Sequence, residues 1–93
     1  MKEKIIAILN DLRPEFDFTE DVDFIEAGML DSFDIVSLVD ELEASFGIKI
    51  QGIDVIPTNF STVDNIIALL KKRGLVGNVL HQFWLLIFTW YAV

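Results

Sequence analysis

Phe24-Ile25-Glu26-Ala27-Gly28-Met29-Leu30-Asp31-Ser32-Phe33 is where an irregular acidic segment gives way to a sustained helical repeat. From Ser32 to Phe46 the apolar residues Ile35, Val36, Leu38, Val39, Leu42 and Phe46 recur at three- and four-residue spacing. Asp34, Asp40, Glu41 and Glu43 fall on other faces, which predicts an amphipathic helix. Gly47 follows it in the place of a left-handed cap. Ser32 thus stands at the start of a helix, directly after a glycine-containing loop. Free backbone N–H groups and the positive end of the helix dipole converge there, so a phosphate esterified to the Ser32 hydroxyl is electrostatically favoured. A serine in this place also has an ordinary use as an N-cap that accepts a bond from the first turn.

On the N-terminal side, Ile5, Ile6, Leu9 and Leu12 form one helical stripe over residues 2–13, and Pro14 discourages continuation. Residues 15–31 carry clustered acids together with Phe16, Phe18, Phe24 and Ile25 but no helical period. They read as a long loop pinned to the core by its aromatics, and a loop of that length in a small domain is usually functional. On the C-terminal side, residues 51–60 contain Gly52 and Pro57 and admit no more than a short turn near Pro57 to Phe60. A last helix opens at Ser61, which has capping-box spacing to Asp64 and is followed by Val63, Ile66, Ile67 and Leu70 as the buried stripe. Lys71, Lys72 and Arg73 suit its C-terminal dipole, and Gly74 ends it.

Ninety-three residues suffice for one small core and too little for two. The absence of cysteine removes disulfides and thiolate metal sites. A net charge of −8 opposes nucleic-acid backbones and favours basic partners. No secretory signal opens the chain, which points to the cytoplasm. Every charged residue lies between Lys2 and Arg73, whereas residues 75–93 hold none and 14 of these 19 are apolar. The domain boundary is therefore expected at Gly74, with one compact domain over residues 1–74 and a hydrophobic tail over 75–93.

The stretch from Phe24 to Phe33, the helix leading to Phe46-Gly47-Ile48-Lys49-Ile50, and Phe60-Ser61-Thr62-Val63-Asp64 together resemble the acyl carrier protein family along almost all of residues 1–74. The family signature is Gly-x-Asp-Ser-Leu. Here Met29-Leu30 adds one residue between glycine and aspartate, and Phe33 stands in place of leucine; both departures resemble the D-alanyl carrier proteins and related stand-alone carriers. The resemblance implies an all-α four-helix bundle with a long first loop. It also implies a covalent 4′-phosphopantetheine arm, derived from coenzyme A, on Ser32. Asp31 would help a phosphopantetheinyl transferase place its metal and coenzyme A, and Phe33 would shape the exit of the arm. The second helix would dock partner enzymes, an acyl- or aminoacyl-activating ligase and an acceptor transferase, with Asp34, Asp40, Glu41 and Glu43 as the acids that meet basic patches. Each of those acids also reads as an ordinary solvated helix position.

No convergent acid, base and nucleophile are present, since His81 lies in the tail far from Ser32, and a catalytic role is not expected. Asp21 with Asp23, and Asp31 with Asp34, lack the spacing of a calcium loop and read as solvated acids. The alternative to a carrier is a non-covalent acidic helical adaptor in which Ser32 is only a cap. The tail, roughly 28 Å long if helical, has three readings: a membrane anchor, a helix packed on this domain or on a second copy, and a non-native extension.

Overall fold

One lysine near the start of the first helix and the arginine that caps its end explain how the first two helices come to lie side by side. In this computed structural model, which describes residues 1–74, α1 covers Lys2–Leu12 and α2 covers Ser32–Phe46. Near the start of α1, the Lys4 ammonium donates to the Ser45 carbonyl at 3.0 Å and stands 5.1 Å from the centre of the Phe46 ring. A cation is favoured at those last carbonyls of a helix. At the other end of α1, Arg13 reaches the first turn of α2. The two helices are therefore antiparallel and held at both ends by α1 cations.

Two 3-10 turns follow, Gly52–Asp54 and Pro57–Phe60, and then α3 over Val63–Lys72. Every regular element among the described residues is helical, as expected: three α-helices and the two short turns. The turn at Pro57–Phe60 was anticipated, whereas the one at Gly52–Asp54 was not. α1 packs against both α2 and α3, and the second turn packs against α3.

The core is one cluster: Ile5, Leu9, Leu38, Leu42, Phe60, Ile66 and Leu70 are fully buried, with Phe18 and Phe24 supplied by the first loop. Those two rings meet edge to face with centroids 5.0 Å apart, a favoured aromatic geometry. The loop is also tied by backbone, Phe24 N–H donating to the Ser61 carbonyl at 2.7 Å and Met29 N–H to the Phe24 carbonyl at 2.8 Å. Gly28 turns the chain with φ of 73°, a region that costs other residues. The additional residue between glycine and aspartate has a packing reason, because Met29 and Leu30 are both buried.

Three local expectations need correction. Val36 was placed on the buried stripe of α2 but is 59% exposed; the stripe is narrower and centres on Ile35, Leu38 and Leu42. The N-cap of α3 is Thr62, whose hydroxyl accepts from Asn65 N–H at 3.1 Å, rather than Ser61. Ser61 closes the preceding turn with helical φ and ψ, so its buried hydroxyl points back and donates to the Thr58 carbonyl at 2.9 Å. Arg73 does not serve the α3 dipole with Lys71 and Lys72. It turns to Asp54, making a two-pronged pair with 2.6 Å between Nη2 and Oδ1 and a second contact from Nε to Oδ2. Asp54 is 2% exposed and also accepts from Gln51 N–H at 3.0 Å. The pair fastens the end of α3 to the 51–54 segment. Residues 75–93, and with them the tail readings and His81, lie outside the described residues.

Candidate functional site

The first turn of α2 depends on two aspartates. Asp31 is extended, with φ of −115° and ψ of −175°, and occupies the N-cap. Its Oδ1 accepts from Asp34 N–H at 3.0 Å, while Asp34 Oδ2 accepts from Asp31 N–H at 2.9 Å. This is a capping box with aspartate in the position where glutamate is usual, and it satisfies donors that the helix leaves free.

A third residue completes the arrangement. Arg13, at the end of α1, donates from Nε to Asp34 Oδ2 at 2.9 Å and from Nη2 to Asp31 Oδ2 at 3.1 Å. Bonded chiefly to Asp34, the guanidinium is held in its charged form even more firmly than usual. The Asp34 N–H bond, with Arg13 beside it, holds the Asp31 carboxyl below the ordinary carboxylate range despite partial desolvation. The spacing predicts two solvated acids, and only half of that holds: the Asp31 side chain is 57% exposed although it is hydrogen-bonded, whereas Asp34 is enclosed. Asp34 has only 13% of its side chain exposed.

Ser32 is the first residue inside the helix and not its cap. Its side chain is exposed, and among the described residues none donates to or accepts from its hydroxyl. The capping task that a serine at a helix start ordinarily performs is taken by Asp31. The hydroxyl is left facing solvent at the positive end of a 15-residue helix. A group esterified there would meet no protein atom that must first be displaced, and its phosphate would lie where negative charge is favoured.

Phe33 is 86% exposed, an unusual position for a phenylalanine, and Val36 lies one turn further along the same outward face. Asp40 and Glu41 are also exposed on α2. Glu43 differs, because its Oε2 accepts from Ile50 N–H at 2.9 Å and braces the chain after α2. The four acids singled out from sequence therefore separate into two groups. Asp34 and Glu43 have internal bonds, and Asp40 and Glu41 face solvent.

Sequence reasoning passed over Arg13. The only hint was a cation at the end of α1 ahead of Pro14, and nothing in linear spacing joins it to aspartates 18 and 21 positions away. The Asp54–Arg73 pair was missed for the same reason.

Comparison with known proteins adds two findings. The family profile described as "Phosphopantetheine attachment site" matches residues 3–70. Among curated proteins, the chain is 34% identical over 79 residues to a D-alanyl carrier protein of Leuconostoc citreum (strain KM20), covering 83% of this chain and 97% of that protein. It is 31% identical over 75 residues to a D-alanyl carrier protein of Lactococcus lactis subsp. cremoris (strain MG1363), covering 78% of this chain and 95% of that one. No solved structure matches.

Proposed function

Because this chain belongs to the phosphopantetheine-attachment family of carrier proteins, we propose that it is an aminoacyl carrier whose arm is attached to Ser32 and whose cargo is D-alanine. Carriers of this family hold 4′-phosphopantetheine covalently and are not themselves enzymes. When attached, the arm supplies a terminal thiol, to which the cargo is joined as a thioester. The chain itself has no cysteine, so the thiol has to come from the arm.

The observation that carries the choice of Ser32 is its exposed and unbonded hydroxyl at the start of α2, with the cap supplied by Asp31. That arrangement supports attachment and disfavours the adaptor reading, in which Ser32 is only a cap. The D-alanyl cargo rests on the two relatives, which match over nearly their whole lengths.

The chain's own residues then have distinct tasks. Asp31 and Asp34 order the first turn, so that the modified oxygen has a fixed place. Phe33 and Val36 offer apolar surface next to it, and Asp40 and Glu41 steer basic partners. The partners are a phosphopantetheinyl transferase, a ligase that activates the amino acid and a transferase that accepts it, and the setting is the cytoplasm, where coenzyme A is at hand. Tethering keeps the cargo at high local concentration near each partner in turn.

Incubation with a broad-specificity phosphopantetheinyl transferase and coenzyme A, followed by intact-mass measurement, tests the arm. The expected result is one phosphopantetheine per chain, located on the peptide containing Ser32. Adding ATP, a D-alanine-activating ligase and D-alanine should then add one D-alanyl group that neutral hydroxylamine removes. Modification without D-alanyl transfer would leave the carrier standing and refute the cargo.

A further inference from the structure

We propose that Arg13 is a positioning residue for modification at Ser32, holding the Asp31 carboxylate in place and offsetting one of the two negative charges beside the attachment oxygen. The inference rests on the reading of Ser32 as the attachment site and adds to it a residue from a different helix.

Two carboxylates, Asp31 and Asp34, are drawn together at the first turn of α2 by their mutual capping bonds. Ser32 stands immediately after the first of them. Alone, the pair would present two negative charges to whatever approaches the hydroxyl. Arg13 touches both, at 3.1 Å and 2.9 Å, and leaves the trio with a net charge of −1.

The consequence follows from the chemistry of the donor. In the modification step the Ser32 Oγ–phosphorus bond forms while the bridging P–O bond of the coenzyme A pyrophosphate breaks. Adenosine 3′,5′-bisphosphate leaves with the bridging oxygen, and the serine proton passes to a base of the transferase. The donor is anionic, and the product keeps a phosphodiester charge at Ser32. Uncompensated aspartates repel both. Arg13 also occupies Asp31 Oδ2 while Asp34 N–H occupies Oδ1, so the plane of the Asp31 carboxylate is set before any partner arrives.

Charge and geometry can be separated by substitution. With a broad-specificity transferase and coenzyme A, and intact mass as the readout, Arg13→Gln should lower kcat/KM for the carrier roughly three- to ten-fold, the effect of one unit of charge several ångströms away at a protein surface. Arg13→Lys keeps the charge and should stay within about two-fold of wild type; it also serves as the test variant if Arg13→Gln loses its helical circular dichroism. The double variant Arg13→Gln with Asp34→Asn returns the trio to −1 and should recover most of the lost rate. A second readout needs no partner: in carbon-detected NMR titration the Asp31 carboxyl of Arg13→Gln should titrate at higher pH than in wild type.

The proposal is overturned if Arg13→Gln is modified as fast as wild type, if the double variant is as slow as the single one, or if Arg13→Lys is slowed as much as Arg13→Gln. A wild-type protein that gains no mass is a different result, since it removes the attachment site itself.

Discussion

Ser32 and Asp31 are neighbours whose loss would be felt in different ways. The Ser32 hydroxyl makes no bond to the described residues, so Ser32→Ala should shift stability by less than about 0.5 kcal/mol, as surface substitutions do. The same variant should gain no mass from coenzyme A and a transferase. Calorimetry and intact mass on one preparation check both halves. Asp31→Ala should behave in the opposite manner, retaining the serine but losing the cap and the Arg13 contact. Thermal unfolding should then occur at lower temperature than in Ser32→Ala.

At the scale of the helix, α2 is capped at both ends and clamped by α1 at both ends. Gly47, at φ of 64°, makes the C-terminal turn in the left-handed region. Gly47→Ala should therefore cost about 1 kcal/mol, visible as a lower midpoint in denaturant with an unchanged slope. The outward face of the helix is the proposed docking surface. Reversing Asp40 and Glu41 to lysine should slow loading by a cognate ligase while leaving the melting temperature nearly unchanged. Wild-type loading should weaken with salt, because exposed charges are screened over roughly 10 Å at 0.1 M. Equal loading of the two proteins at low salt would count against this face as a docking surface.

Across the described residues, the first loop together with Ile48, Ile50 and Phe60 completes a core that three short helices alone would leave open. Phe60 is fully buried beneath α3, and Phe60→Ala should cost about 3–5 kcal/mol, a large part of the stability of a domain this size. The Asp54–Arg73 pair gives the domain an acid limit. The Arg73 bonds, first among the causes, lower the Asp54 carboxyl below its ordinary value against the effect of burial. A depressed carboxylate contributes stability that is fully present above its unfolded pKa and is lost as pH falls through the folded one. Stability should thus hold down to roughly pH 4 and fall below it, and Asp54→Asn should flatten that fall in melts recorded from pH 7 to pH 2. Among the described residues the core and this pair are complete by Arg73, so a protein of residues 1–74 should fold alone and accept the arm on Ser32.

Local pattern in the chain was enough for the three helices, the long first loop pinned by Phe18 and Phe24, and the left-handed cap at Gly47. Each of these depends on neighbours within about one or two turns, where spacing and backbone preference act directly. The proposal of Ser32 as the attachment residue also starts from the chain, because the residues that suggest it are contiguous from Phe24 to Phe33. Spacing could not show whether Ser32 or Asp31 would cap α2, since both types cap helices well; the folded chain decided it when Arg13 and Asp34 N–H took both oxygens of Asp31. The same holds for Ser61 against Thr62, for Val36 on the outward face and for Arg73 on Asp54. These depend on groups brought together across 18 to 21 positions or by the packing of one helix on another, and the free energy of such contacts exists only once the core has closed.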